Sequence, residues 1–301
     1  MPNITEKINQ LKKRRQAVIL AHNYQIGAVQ DIADFVGDSL GLSIEAAKTK
    51  SDVIIFCGVH FMAETAQILS PQKKVILPDP HAGCPMADMI NVEQLRALKA
   101  AHSRAAVVCY VNSSAAVKAE SDICCTSANA VKVVKSLPQD EIIFVPDKYL
   151  GHFVSTKIPQ KKFILSDGYC PSHIRITPED IQAAREKHPG AYVMVHPECR
   201  PEVIALADAA LSTGQMIKRA ADPNKNAFIV GTEVGLLYTL NKRYPGKNFY
   251  AASEMCVCPN MKLITPEKVL FALEDMKNEV LVPPEIAAKA YLAIEKMIKI
   301  I

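Results

Sequence analysis

Three of the nine cysteines in this 301-residue chain are followed directly by proline: Cys84-Pro85, Cys170-Pro171 and Cys258-Pro259, spaced 86 and 88 residues apart. Thiolates are soft ligands that suit zinc or an iron–sulfur cluster, and three meeting at one point would leave a coordination position for something else. A second set of residues keeps the same rhythm. Short apolar runs end at His22, Tyr110 and His196, with Asn23-Tyr24, Asn112 and Glu198 immediately beyond. Histidine exchanges protons near neutrality, and tyrosine or glutamate does so once burial or a neighbour shifts its pKa. Seventeen residues past each of those three positions stands a hydroxyl side chain: Ser39, Ser127 and Thr213. With Gly37-Asp38, Thr126, Ser212 and Gly214 beside them, these segments suit either the capping of a helix or the holding of a carboxylate or phosphate.

Such a repeat needs repeated elements to carry it. Seven residues after each Cys-Pro cysteine comes a helix start, at Asn91, Thr177 and Thr265, each preceded by isoleucine (Ile90, Ile176, Ile264). Each of the three has a good N-cap and an acid in its first turn, and the last two also carry proline at the first helical position. Apolar runs rich in β-branched residues read as buried parallel strands at Ala17–Leu20, Ala105–Cys109 and Ala191–Val195. A second set follows at Val53–Cys57, Ile142–Val145 and Ala227–Val230. A third, at Val75–Leu77, Lys162–Leu165 and Asn248–Ala251, comes just before the cysteine loops. Helical stretches separate them, among them Ser43–Thr49, Ala63–Leu69, Ala128–Lys135 and Val203–Ala210.

The expected fold is therefore α/β: three homologous αβα sandwich units with parallel sheets, arranged around a pseudo-threefold axis. Ligands of parallel sheets sit beyond the carboxyl ends of the strands, so inward-facing edges would bring the three sulfurs together. The expected segments are residues 1–86, 87–172 and 173–260 for the three units, with C-terminal helices packed on the core over 261–301. Ile286, Ala290, Ile294 and Met297 form the apolar stripe of that last docking helix.

The remaining cysteines sort by repeat position. Cys57 and Cys109 fall inside strand patterns and read as packing residues. Cys124 and Cys125 fall in a segment read as helix or turn and have no counterparts. Cys199 follows His196-Pro197-Glu198 near the proposed centre, with its role open. Cys256 could share a metal with Cys258, but only Cys258 has the following proline and the cap seven residues on.

Bulk properties exclude several classes. A net charge of +4 is small, and the densest basic cluster, Lys12 to Arg15, closes a short amphipathic helix, so nucleic acid is not expected as a partner. No apolar run reaches membrane-spanning length, and the N-terminus lacks a signal-peptide pattern, which gives a cytoplasmic expectation with no membrane partner. In that reducing compartment nine cysteines do not form a disulfide framework. No Walker A motif and no convincing G-x-G-x-x-G points to a nucleotide cofactor. Three cysteines on a four-iron cluster leave one iron open as a Lewis acid, which favours dehydration over electron transfer.

The motifs Ala21-His22-Asn23-Tyr24-Gln25, Gly37-Asp38-Ser39, Gly58 to Glu64 (GVHFMAE), His196-Pro197-Glu198-Cys199, Ser212-Thr213-Gly214 and Cys258-Pro259-Asn260-Met261-Lys262 together resemble the quinolinate synthase family, across essentially the whole chain. The resemblance implies condensation of iminoaspartate with dihydroxyacetone phosphate to quinolinate, phosphate and water in NAD biosynthesis, with an iminoaspartate-supplying oxidase as partner. It implies three αβα domains around one [4Fe–4S] cluster, held by Cys84, Cys170 and Cys258 with one open iron. By motif it places His22, Tyr24, Tyr110, His196 and Glu198 as catalytic residues. Ser39, Asn112, Ser127, His173, Ser212 and Thr213 join His22, Tyr110, His196 and Glu198 on the substrate, and Phe61 and Met62 form apolar walls. Some relatives carry a longer C-x-x-C-x-x-C run at the third ligand. This chain has only Cys256-Val257-Cys258, so thiol–disulfide control does not carry over. Two other readings of the same residues are a hydro-lyase of aconitase type, and a non-enzymatic metal scaffold with Cys256 or His173 as a fourth ligand.

Overall fold

The computed structural model describes residues 3–300, so the outermost residues of the expected first and last segments lie outside the described residues. The chain runs through one topology three times. The first pass is α1 (Ile4–Arg14), β1 (Ala17–His22), α2 (Gly27–Ile32), β2 (Phe35–Gly37), α3 (Ser39–Lys48), β3 (Val53–Cys57), α4 (His60–Leu69) and β4 (Lys74–Ile76). The second is α5 (Val92–Ala101), β5 (Ala106–Tyr110), α6 (Ala115–Ala119), β6 (Ile123–Cys125), α7 (Ala130–Ser136), β7 (Glu141–Val145), α8 (Lys148–Lys157) and β8 (Lys162–Leu165). The third is α9 (Pro178–Lys187), β9 (Tyr192–Val195), α10 (Pro201–Ala205), β10 (Ala209–Ala210), α11 (Thr213–Arg219), β11 (Ala227–Gly231), α12 (Leu236–Arg243) and β12 (Asn248–Ala251). Two helices follow, α13 (Pro266–Asp275) and α14 (Pro284–Ile298).

Each pass builds a four-stranded parallel sheet with the same order: β2-β1-β3-β4, β6-β5-β7-β8 and β10-β9-β11-β12. The three sheets alternate with helices, as the α/β expectation of three αβα units requires. The central strands read as unbroken apolar runs because helices cover both faces; all of β3 and β5 is buried. The predicted helix starts are capped as expected. Asn91 and Thr177 form capping boxes with Gln94 and Asp180, Thr265 caps Lys268, and Asn3 caps α1 in the same way with Glu6.

Two further repeated devices hold the units. Before each second strand an aspartate accepts the backbone N–H of the first strand: Asp34 from Ile19 (2.8 Å), Asp122 from Val107 (2.7 Å) and Asp208 from Val193 (2.7 Å). The carboxylate thus adds a rung to a very short strand pairing. Before each fourth strand a lysine reaches helix-end carbonyls: Lys73 to Thr49, Lys161 to Leu137 (2.7 Å) and Lys247 to Ala220 (2.7 Å). Cations suit that end of a helix.

The structure corrects the sequence reading at the second strands. Cys124 and Cys125 lie in β6, not in a helix or turn, and both are fully buried. The expected helix Val203–Ala210 divides into α10 and β10. Strands of two or three residues carry no local periodicity of their own; their pairing with the first strand, Cys109 opposite Cys124 for instance, defines them.

The C-terminal helices close the first two units. Helix α13 lies on α1, and α14 lies against α4, α6 and β6 with Ala290, Ala293, Ile294 and Met297 buried. Between them Val280 donates to Val75 (2.8 Å), covering the open edge of β4. The resulting core is continuous through both units, whereas the third unit has its own, split across its sheet: Val193, Val195 and Ile229 on one face, Met194, Phe228 and Val230 on the other. No helix among the described residues is long and apolar enough to cross a membrane.

Candidate functional site

The carboxyl ends of the three sheets meet at one cavity with about 660 Å³ of atom-free space, part of it open to solvent. Cys84, Cys170 and Cys258 all line it, each on the loop after a fourth strand and each followed closely by a short 3₁₀ turn (85–88, 173–175, 260–263). These loops are bonded to one another in a ring. The Ser172 hydroxyl donates to the Val257 carbonyl (3.1 Å), the Asn260 amide to the Gly83 carbonyl (2.8 Å), and the Tyr169 N–H to Met89 Sδ (3.3 Å). Every one of those contacts lies within five residues of a cysteine from each of two different units.

Burial pushes all three thiols up, Cys84 to about 12. Against burial, backbone N–H groups in the turns favour the thiolate: Ala87 and Met86 for Cys84, His173 for Cys170, Met261 and Asn260 for Cys258. A buried thiolate triad needs a compensating cation, and N–H groups aimed at sulfur are what tune a cysteine-held cluster. The donor set therefore fits a metal centre. Cys170, His173 and Glu198 also place their ligand atoms within 4.8 Å of one another. The other cysteines take no part in the cavity; Cys199 and Cys256 are buried in the third unit's own core.

A polar ring surrounds the sulfurs and ties the units together. Glu198 Oε2 lies 2.7 Å from His173 Nδ1 and 3.5 Å from His196 Nδ1. His173 Nδ1 also lies 3.1 Å from Cys170 Sγ, and its ring stacks on His196 with centroids 4.6 Å apart. The Tyr24 hydroxyl sits 2.7 Å from Thr232 Oγ1 and 3.4 Å from His173 Nε2. His196 Nε2 meets Ser127 Oγ at 3.1 Å, and the Asn23 amide donates to Thr213 Oγ1 at 2.9 Å.

Their environments push the titrating groups apart. Burial holds the imidazoles of His22 and His196 down at about 3, against the pull of the Glu198 charge. Burial pushes Glu198 up, but His173 and His196, with hydrogen bonds from His173 and Tyr110, hold it at about 2. Burial and then the Glu198 charge raise the hydroxyls of Tyr24 and Tyr110 well above the usual tyrosine range. At neutral pH the ring thus holds the neutral imidazoles of His22 and His196, the protonated phenols of Tyr24 and Tyr110 and the Glu198 carboxylate. Among the described residues, the buried acceptors Glu198 Oε1 and Asn112 Oδ1 have no hydrogen-bond partner, which suits them to meet a donor from a bound molecule.

Comparison with known proteins bears on what this cavity belongs to. Residues 6–299 match the family model described as quinolinate synthetase A protein. The chain belongs to the quinolinate synthetase A family. Similar members include a quinolinate synthase of Dehalococcoides mccartyi, 59% identical over 298 residues, which span 99% of this chain and 98% of that protein. Quinolinate synthase 2 of Methanosarcina acetivorans is 54% identical, covering 99% and 96%, and the quinolinate synthase of Thermodesulfovibrio yellowstonii is 53% identical, covering 98% of each.

Within this member of the quinolinate synthetase A family, the cavity gathers His22, Tyr24, Ser39, Tyr110, Asn112, Ser127, His173, His196, Glu198 and Thr213, together with Phe61 and Met62. Ser212 stands behind Thr213, where its hydroxyl caps α11 by accepting from Gln215 N (3.3 Å). Ser39 and Thr213 are first helical residues, with Asp38 and Ser212 as the caps, and Ser127 lies ahead of the Asn129 cap of α7. None of the three cavity hydroxyls is spent on capping. Sequence reasoning passed over Glu233 and Ser172, which also line the cavity. Glu233 had a visible signal: it stands two residues beyond the end of β11, where Asp147 stands beyond β7.

Proposed function

We propose that this chain is a quinolinate synthase of NAD biosynthesis, condensing iminoaspartate with dihydroxyacetone phosphate to give quinolinate, phosphate and water. The observation that carries this reading is the ring of three mutually bonded cysteine loops, one per unit, opening on a cavity lined by His22, Tyr24, Tyr110, His196 and Glu198. Cys84, Cys170 and Cys258 would hold one [4Fe–4S] cluster. When bound, the cluster supplies a Lewis-acidic iron without a protein ligand, suited to assisting loss of water.

The protein's own groups do the rest. Ser39, Ser127 and Thr213, one from each unit and free of capping duty, hold the anionic groups of the substrates. His22 and His196 stay neutral and accept hydrogen bonds from the reactants, whereas Tyr24 and Tyr110 keep their protons and donate hydrogen bonds to them. Glu198 stays ionised beside His173 and orients that ring, and its Oε1 accepts a hydrogen bond from a donor on the substrate. Phe61 and Met62 form an apolar wall that limits water beside a hydrolysable imine.

Anaerobic purification with iron and sulfide assays, followed by an assay for quinolinate, tests the reading. Replacing Cys84, Cys170 or Cys258 by alanine should abolish the cluster absorption band and the activity together; a variant retaining both would refute the ligand assignment. The proximity of Cys170, His173 and Glu198 favours one rival, a closed centre in which His173 is a further ligand. On that rival His173→Gln would cost metal, whereas on the proposed reading it spares the cluster and costs turnover.

A further inference from the structure

Glu233 is fully buried at the carboxyl end of the third sheet, and its two oxygens reach in different directions. Oε1 accepts the backbone N–H of Cys258 at 3.1 Å and lies 2.8 Å from Lys262 Nζ. Oε2 accepts the N–H of Gly235 at 2.8 Å. Lys262 in turn donates to the backbone carbonyl of Tyr24, in the first unit. Gly235 lies inside this knot: a Cβ there would come 2.8 Å from Glu233 Oε2, 2.8 Å from the Tyr24 carbonyl oxygen and 2.9 Å from Lys262 Nζ. The Gly235 carbonyl accepts from Gln30 Nε2 (3.1 Å), which also donates to Gln25 O (2.8 Å), on the strand-end turn that carries Tyr24.

Like the other two, the third cysteine loop is bonded to both neighbours. It receives the Ser172 hydroxyl from the second loop and gives the Asn260 amide to the first, so both neighbours lean on it. The second loop has a counterpart of Glu233. Val145 and Gly231 occupy matching registers, opposite Cys109 and Val195, and two residues beyond them stand Asp147 and Glu233. Asp147 is also fully buried and faces the Cys170 N–H, but it spends Oδ1 on capping α8 and leaves Oδ2 without a close partner. The first unit has Val59 at this place. Only at the third loop does a carboxylate with its own counter-ion grip the ligand's amide.

We propose that Glu233 is a positioning residue: paired with Lys262, it locks the Cys258 loop to the backbone of Tyr24 and so governs how firmly the third ligand holds the metal centre. This rests on the proposed reading of the three cysteines as cluster ligands. A hydrogen bond to an ionised acceptor is stronger than a neutral one, and a buried carboxylate keeps its place only while paired. Glu233 lines the cavity, but its contacts are the Cys258 and Gly235 amides and Lys262, so it acts on the third ligand through the backbone.

The test uses the anaerobically reconstituted full-length protein, with wild type, Glu233→Gln and Lys262→Met compared. Two quantities are read: the rate at which an iron chelator bleaches the cluster absorption, and the cluster midpoint potential. Both variants should lose the cluster faster than wild type, by about tenfold, the scale of a lost hydrogen bond to a charged group. Their potentials should separate in opposite directions, upward for Glu233→Gln, which removes a negative charge, and downward for Lys262→Met, which removes a positive one. Wild-type loss rates in both variants would overturn the inference. Faster loss with potentials that do not separate would reduce Glu233 to general fold stability and overturn it equally. Should Glu233→Gln fail to fold, Lys262→Met, changed at a partly exposed side chain, decides by the same two readouts. A wild-type protein without iron and sulfide would instead bring down the functional reading, and this inference with it.

Discussion

His22 and His196 are about 4% and 3% exposed, and exclusion from water holds both imidazoles at about 3, far below their ordinary 6.5. Between those two pH values the unfolded chain binds protons at these sites that the folded chain refuses. Stability therefore falls as pH drops through that window. Glu198 works in the same direction lower down: held at about 2 against an ordinary 4.5, it contributes stability that is lost as pH falls through that range. In the metal-free protein, His22→Gln should flatten the fall of Tm between about pH 6 and pH 4. Thermal melts across that range check this, and an unchanged slope would show that the burial of His22 is relieved by other means. These residues were legible in the sequence because they recur at equivalent strand ends. Glu233 was passed over because its acid recurs in only one other unit, as Asp147, while the first unit has Val59 there.

The elements tell a similar story about what repeats and what does not. Long central strands and capped helices announce themselves through composition, which is why β3, β5 and the starts of α5, α9 and α13 were foreseen. The strands β2, β6 and β10 have three, three and two residues, too few for any pattern. Their signal lay instead in Asp34, Asp122 and Asp208, each five residues before a cavity hydroxyl (Ser39, Ser127, Thr213). Each aspartate anchors its short strand to the first strand of its unit and thereby fixes where the following hydroxyl emerges. Asp122→Ala leaves the Val107 N–H without its acceptor and should cost about 1–3 kcal/mol of stability. Asp122→Asn keeps a carbonyl acceptor and should recover most of that. Urea titration of the two variants provides the check, and equal stability of Asp122→Ala and wild type would remove the anchoring role.

At the scale of the whole molecule, three copies of one topology do not make three equal bodies. Helix α14 closes the first two units into a single core, and Asn129 at the head of α7 donates to the Met297 and Ile300 carbonyls (3.1 and 2.8 Å) at its far end. The third unit keeps a separate core and meets the others at the cavity, through bonds such as Tyr24 to Thr232 and His196 to Ser127, and along α2 and α12. The triplication was readable from spacing, but this asymmetry was not, because the repeat ends before the helix that creates it. Ile294 is fully buried in the shared core. Ile294→Ala should cost about 2–5 kcal/mol there, through lost transfer energy and the cavity left behind. The loss should fall on the first two units alone. Amide exchange of the metal-free variant should quicken at Ile54, Val108 and Ile143, while Val193 and Ile229 keep wild-type protection. Uniform quickening in all three sheets would mean that the seam at the cavity couples the cores as strongly as packing does. The molecule would then unfold as one body, and the site would owe its geometry to global cooperativity, not to a joint between two separately stable parts.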